Sequence, residues 1–191
     1  MLKRIAAYCG ASTGNQVIYQ RSTIKLGHFL AAHNFELVYG GGGVGLMGVL
    51  AQTVIGDGGV VHGIMPKELA ARGASDHHLT KLTIVDNMSE RKRLMMNLAD
   101  GCLAIPGGPG TLEEISEAFS WARIGDNVNP CALFNVNHYF DPLATFFDQM
   151  VAQGFLTAEH RSKLLFSDNL NSIFKFMETY TAPTIRTNYE H

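Results

Sequence analysis

The stretch Cys102-Leu103-Ala104-Ile105-Pro106-Gly107-Gly108-Pro109-Gly110-Thr111-Leu112-Glu113-Glu114 decides the fold. Its first four residues are continuously apolar, as in a strand buried on both faces. A glycine-rich turn follows, and the chain then takes a helical pattern from Thr111 to Ile124. A strand-to-helix turn of this kind leaves backbone N–H groups exposed at a helix N-terminus, where phosphate binds readily. Here the turn also brings a hydroxyl and two carboxylates, so phosphate binding and acid/base chemistry share one loop.

The same alternation extends in both directions. Strand patterns fall at Arg4–Cys9, Glu36–Tyr39, Val60–Met65, Leu82–Val85, Cys102–Ile105 and Cys131–Asn135. Helical patterns fall at Gln16–His33, Leu46–Ile55, Met88–Ala99, Thr111–Ile124, Tyr139–Gln153, Ala158–Lys163 and Leu170–Thr179. Apolar strands alternating with helices predict an α/β, three-layer Rossmann-like fold, a parallel sheet of six or seven strands flanked by helices. One domain over residues 1–182 and a polar tail over 183–191 are expected.

Composition narrows the function classes. With 46% hydrophobic and 17% charged residues the chain is an ordinary globular one. A net charge of -2 gives no field for nucleic acid or an anionic membrane, so neither is an expected partner. No run is long and apolar enough for a transmembrane helix. Met1-Leu2-Lys3-Arg4-Ile5 leads directly into a strand pattern without a signal-peptide core. Cys9, Cys102 and Cys131 sit in or beside apolar strands and form no CxxC pair. Reduced thiols, a cytoplasmic location and no metal are the expectations.

Ligands of such folds bind beyond the carboxyl ends of the strands. Three glycine-bearing turns fall there: Cys9-Gly10-Ala11-Ser12-Thr13-Gly14, the run Gly40–Gly48, and the Pro106 turn. Together they point to a phosphate-bearing ligand, to which Ser12, Gly42 and Gly43 are candidate contacts. The second run has Gly-x-Gly-x-x-Gly spacing, but no acidic residue ends a following strand to hold a ribose, which disfavours a standard dinucleotide site.

Helical phase sorts the polar residues. Thr111, Glu114, Ala118 and Trp121 share one stripe, beside the apolar stripe of Leu112, Ile115 and Phe119. Thr111 is then placed to offer a phosphate its hydroxyl, with Glu114 in the same cavity and Trp121 as its wall. Glu113 turns toward Glu117 and solvent. Upstream, Asn87 and Glu90 fit an N-cap with its partner three residues on. Arg91 then lies in a first helical turn, on the apolar stripe of Met88, Leu94, Met95 and Leu98, while Lys92 and Arg93 turn toward solvent. A guanidinium there either meets an anionic partner or snorkels to water, and periodicity leaves both readings open. Asp76-His77-His78 reads as a solvated loop rather than a metal site, and Ser12 as a hydrogen-bonding residue rather than a nucleophile.

Two motifs, Pro106-Gly107-Gly108-x-Gly110-Thr111-x-x-Glu114 and Met88-x-x-Arg91-Lys92, resemble the signature of the Lonely Guy family of cytokinin riboside 5'-monophosphate phosphoribohydrolases. Many relatives carry a lysine-decarboxylase label. Cys9-Gly10-Ala11-Ser12, Gly41-Gly42-Gly43-x-x-Leu46-Met47-Gly48, Trp121-Ala122-x-Ile124-Gly125, Asn135-Val136-x-x-Tyr139-Phe140 and Gly154-Phe155 extend the match. The resemblance implies cleavage of a nucleoside 5'-monophosphate at its N-glycosidic bond, with no cofactor and in a homodimer. It makes Arg91 and Glu114 catalytic, and Lys92, Gly108, Pro109, Gly110, Thr111, Glu113, Gly42, Gly43, Ser12 and Ser120 substrate-binding. Two positions depart from it: Gly73 stands near a nucleotide-binding Glu of many members, and Pro109 replaces an aromatic residue of plant members. Ser120 stands where some relatives have a Thr near the ligand, but the helical projection turns it away from Thr111, so it would need the site to extend across a dimer interface. The competing class is a non-catalytic carrier of a nucleotide or a molybdenum-cofactor-type pterin, which needs the phosphate turn but not the Arg–Glu pair. A pyridoxal-phosphate decarboxylase is disfavoured, because Lys92 faces away from the turn.

Overall fold

Seven apolar runs pair edge to edge in a computed structural model that describes residues 2–76 and 78–185. They are β1 (Arg4–Tyr8), β2 (Glu36–Tyr39), β3 (Val61–Pro66), β4 (Lys81–Val85), β5 (Gly101–Ala104), β6 (Cys131–Phe134) and β7 (Leu164–Ser167). All pairings are parallel, in the order β4-β3-β2-β1-β5-β6-β7. The helices are α1 (Val17–Ala32), α2 (Gly45–Gly56), α3 (Lys67–Ala71), α4 (Met88–Leu98), α5 (Pro109–Ile124), α6 (Asp141–Ala152), α7 (Ala158–Ser162) and α8 (Leu170–Glu178).

Side-chain alternation along β1 divides the core into two layers. Ile5, Ala7 and Cys9 pack with Leu26 and Leu30 of α1, Leu50 and Val54 of α2, and Phe174 and Met177 of α8. Ala6 and Tyr8 point the other way, onto Met95 of α4, Ile115 and Phe119 of α5, and Phe147 of α6. Both faces are therefore covered, as continuously apolar strands require. The chain starts at the centre, winds out to β4, and returns to β5 on the far side of β1. The strand order reverses between β1 and β5, so their two carboxyl-end turns flank the crevice of the sheet.

Three elements differ from the periodicity reading. The edge strand β7 is not separated by periodicity, because its four residues follow α7 with no punctuating turn. Helix α3 is a single turn behind Pro66, too short to set up a period. Helix α5 begins at Pro109 instead of Thr111: Gly108 is its N-cap and proline, lacking an N–H, occupies the first turn.

The cap assigned to α4 forms as expected. Asn87 Oδ1 accepts the Glu90 N–H at 3.0 Å, and Glu90 reaches back to the Asp86 N–H at 3.0 Å. Asn87→Ala is expected to cost about 1 kcal/mol in urea denaturation.

Candidate active site

The turns after β1 and β5 touch through glycine. A Cβ on Gly10 would stand 3.3 Å from Gly107 Cα and 2.8 Å from the Ser12 carbonyl oxygen, so neither turn has room for a side chain there. The Gly10 N–H donates to the Pro106 carbonyl at 3.1 Å. The Gly10 carbonyl in turn accepts from the N–H groups of Leu46 and Met47, at 3.0 and 3.3 Å. The N-terminus of α2 is thus occupied by the chain itself, which gives the Gly40–Gly48 run a packing role. Helix α5 differs: Gly108 supplies no side-chain cap, and Pro109 has no N–H. Its first-turn amides, among them Gly110 and Thr111, have no partner one turn back within the helix. The positive end of its dipole faces the crevice.

Glu114 lies one turn into α5 and Arg91 in the first turn of α4; both are buried, with 7% and 8% of their surface exposed. Arg91 Nη2 donates to Glu114 Oε1 at 2.7 Å, and Nη1 lies 3.5 Å from Met88 Sδ. Arg91 Nε is buried and unbonded among the described residues. The pair resolves the open reading of Arg91 in favour of an anionic partner. Burial pushes the Glu114 carboxyl up to about 7, against the pull of the Arg91 guanidinium and with a smaller upward push from Glu113. Beside the pair, burial raises the Cys9 thiol well above its ordinary value and keeps it protonated.

Gly40 makes this geometry possible and was not among the expected residues. A Cβ there would lie 2.9 Å from Arg91 Cζ, so a side chain at 40 would evict the guanidinium. Its signal was a glycine directly after a strand, hidden in a run of glycines with other tasks.

Several expected residues sit differently. Lys92 was expected in solvent but is mostly buried, its ammonium bridging Glu113 and, at 3.0 Å, Glu117. The packing of α4 on α5 creates that bridge, which a projection of either helix alone cannot show. Trp121 does not wall the phosphate turn: ten residues on from Thr111, it is about 15 Å away along the helix. It stacks instead under Arg93, 5.5 Å from the ring centre, beside Asp126 and Asn127. Leu112 is exposed, unlike its stripe partners Ile115 and Phe119. Thr111 is buried and packs its side chain on Gly107. Ser12 and Ser120 are exposed, and only Ser12 borders a cleft at the turn.

The loop after α3 also departs from expectation. Asp76 is buried rather than solvated, its carboxylate accepting the His78 N–H at 3.0 Å beside Gly43. His77 lies outside the described residues. Gly42 bridges Ser75 in an isolated antiparallel contact, and Gly73 takes a left-handed φ of 77° after α3.

Two clefts flank Gly107 and Gly108. One, of about 170 Å³, is bordered by Ser12, Thr13, Tyr19 and Tyr139. The other, of about 390 Å³, is more apolar and is bordered by Pro109, Leu112, Tyr139 and Leu143. Arg91 and Glu114 border neither. The pair stands instead against Gly40, with Cys9 in its electrostatic reach.

Comparison with known proteins supplies the family. A family model described as "Possible lysine decarboxylase" matches residues 47–177. A cytokinin riboside 5'-monophosphate phosphoribohydrolase of Arabidopsis thaliana is 38% identical over 178 residues, 93% of this chain and 84% of the relative. One from Oryza sativa subsp. japonica is 36% identical, over 93% of this chain and 74% of the relative. Among solved structures, the molybdenum cofactor carrier protein of Chlamydomonas reinhardtii superposes with a TM-score of 0.70 at 17% identity, covering 94% of this chain and all of that one. The molybdenum cofactor binding protein of Rippkaea orientalis gives 0.69 at 17% identity, over 94% and 98%. At that identity the likeness speaks for the three-layer fold alone. The sequence relatives, collinear over nearly the whole chain, decide the rest: this chain belongs to the family of cytokinin riboside 5'-monophosphate phosphoribohydrolases, the family that carries the lysine-decarboxylase label.

Proposed function

We propose that this protein is an N-glycosyl hydrolase that cleaves a nucleoside 5'-monophosphate, a cytokinin riboside monophosphate or AMP-like nucleotide, into free base and ribose 5-phosphate. The observation that carries this is a buried Arg91–Glu114 pair beside a helix N-terminus with no side-chain cap, at the point where the strand order reverses. The amides of Gly108, Gly110 and Thr111 receive the phosphate, Pro109 borders the same turn, and Ser12 approaches from the turn after β1. Lys92, paired with Glu113 and Glu117, and the glycines Gly42 and Gly43 are read as further substrate contacts.

As the bond from C1′ to the base nitrogen breaks, its electron pair leaves with the base and positive charge grows on the sugar. The Glu114 carboxylate stabilises that charge and takes a proton from the water that adds to C1′. Water's hydroxyl ends on C1′, and the proton taken by Glu114 passes to the departing base, which restores the carboxylate and divides water between the two products. Arg91 orients the carboxylate and offsets the negative charge of the departing base. A carrier would use the phosphate turn but leave the Arg91–Glu114 pair without a task. The decarboxylase label fits poorly, since Lys92 is held between two carboxylates.

We also read the protein as a cytoplasmic homodimer, with one domain over residues 1–182; of the expected tail over 183–191, Thr184 bonds to Glu159 and His160 of α7, and residues 186–191 lie outside the described residues. Three free, buried cysteines support a reducing compartment. Among the described residues no helix is long and apolar enough to cross a membrane. Phe147 is used by the core, whereas Phe146 remains exposed on α6 and Leu112 on α5, an apolar surface suited to a second copy.

Incubation of the purified protein with AMP and with isopentenyladenosine monophosphate, followed by chromatography, tests the activity. Free base is expected, and its absence from every nucleoside monophosphate tried would overturn the reading.

A pH dependence follows from Glu114. Its carboxyl rises from an ordinary 4.5 to about 7 in the folded protein, so the folded state holds more protons than the unfolded one between these values. This group's stabilisation is complete below pH 4.5 and is lost as pH rises through about 7. Activity needs the ionised form and moves oppositely: kcat/KM is expected to climb with an apparent pKa near 7. A flat profile from pH 5.5 to 8.5 would refute the assignment.

A further inference from the structure

Tyr139 has no role in the chemistry above, yet it touches the phosphate turn. Its hydroxyl donates to the Gly107 carbonyl oxygen at 2.5 Å, and its ring borders both clefts. The rings of Tyr19 and Phe140 brace it edge-on, at 5.6 and 5.0 Å between centres.

An unusual piece of backbone brings it there. Asn137 and His138, in the turn Val136–His138, both take left-handed φ angles, 51° and 60°. Two such non-glycine residues in succession are rare. Side chains hold the turn. Asn137 Nδ2 donates to Gln16 Oε1 at 3.0 Å, His138 Nδ1 meets Asp141 Oδ2 at 3.0 Å, and Asn135 Oδ1 accepts the Phe140 N–H at 2.7 Å.

The consequence lies in the peptide that joins Gly107 to Gly108. In a trans peptide the carbonyl of one residue and the N–H of the next point in opposite directions. Neither residue has a Cβ, so this peptide plane rotates at little steric cost. A carbonyl turned toward a phosphate repels it, while an N–H attracts it. We propose that Tyr139 is a positioning residue that locks this peptide: it holds the Gly107 carbonyl, and so aims the Gly108 N–H away from itself at the substrate's phosphate. The proposal rests on the phosphate-turn reading given above.

The test compares the wild type with Tyr139→Phe, which keeps the ring and removes the hydroxyl. Calorimetry with ribose 5-phosphate and with adenine reads the phosphate and base ends separately. Ribose 5-phosphate affinity is expected to fall about three- to tenfold, the range for one neutral hydrogen bond, with adenine affinity unmoved. In turnover the loss should fall on KM more than on kcat, the mark of binding shared by ground and transition states. Equal ribose 5-phosphate affinity in the two proteins overturns the proposal. So does a matching loss of adenine affinity, which would make Tyr139 a wall of the base site. A wild type that binds no ribose 5-phosphate removes the phosphate from this turn and the proposal with it. One that binds it but releases no base counts against hydrolysis alone, and the affinity ratio still decides the role of Tyr139.

Discussion

Glu114→Gln is expected to lower kcat by about a thousandfold, the middle of the range for a positioned acid or base. The amide matches the carboxylate in shape and still offers Arg91 an acceptor at the position of Oε1, where the guanidinium now bonds at 2.7 Å. The fold should therefore survive, as circular dichroism and a thermal melt would establish. On the proposed mechanism, what is lost is the negative charge that meets the developing positive charge on the sugar, and the site that takes water's proton. The rising limb of the pH profile near 7 should vanish with it. A variant that keeps more than a tenth of wild-type kcat would remove Glu114 from the chemistry.

Arg91→Ala should cost about a hundred- to a thousandfold in kcat, in line with removal of one preorganised donor from a buried site. Its second signature is electrostatic. The guanidinium now pulls the Glu114 carboxyl down, against burial. Without it the carboxyl titrates higher than about 7, and the surviving activity should show its limb displaced to more alkaline pH. Breaking a buried pair typically costs 3–5 kcal/mol, because the remaining charge is left without a partner. Here Glu114 can escape by binding a proton, so the penalty should be small at pH 6 and grow toward pH 8, as urea titrations at the two values would measure. An unshifted limb would mean that the pair is not coupled. Arg91→Lys is not a conservative control: a lysine presents one compact ammonium where the fork of Arg91 reaches Glu114 and Met88 through different nitrogens.

Much of this site was legible along the chain. Glu113 and Glu114 are adjacent, yet a 100° step separates them. That step puts Glu114 in the interior beside Ile115 and leaves Glu113 on the outside, as the helical projection predicted. Arg91 was visible as an anomaly, a cation in a first helical turn on an apolar stripe, and an anomaly of that kind demands a partner. The partner's identity was not visible, because it comes from another helix 23 residues away. Lys92 failed for the same reason, since the carboxylates that bury its ammonium belong to α5. Trp121 failed because sharing a stripe fixes direction around a helix and says nothing of distance along it. Asp76 sits in a loop after Gly73 with no matching ligand set, which in sequence reads as solvated; its burial depends on the loop folding back on Gly41 and Gly43.

The sequence by itself determined the alternation of strand and helix, the parallel sheet covered on two faces, the glycine-rich turn after β5, and the inward phase of Glu114 and Arg91. Those properties follow from local periodicity and the conformational preferences of glycine and proline, which act within a few residues. Only the tertiary structure decided that the turns after β1 and β5 meet at Gly10 and Gly107, that Gly40 makes room for Arg91, and that Tyr139 reaches the Gly107 carbonyl. Each of these joins segments distant in sequence, and their geometry is set by strand order and by the packing of α4 against α5, which local preference does not encode.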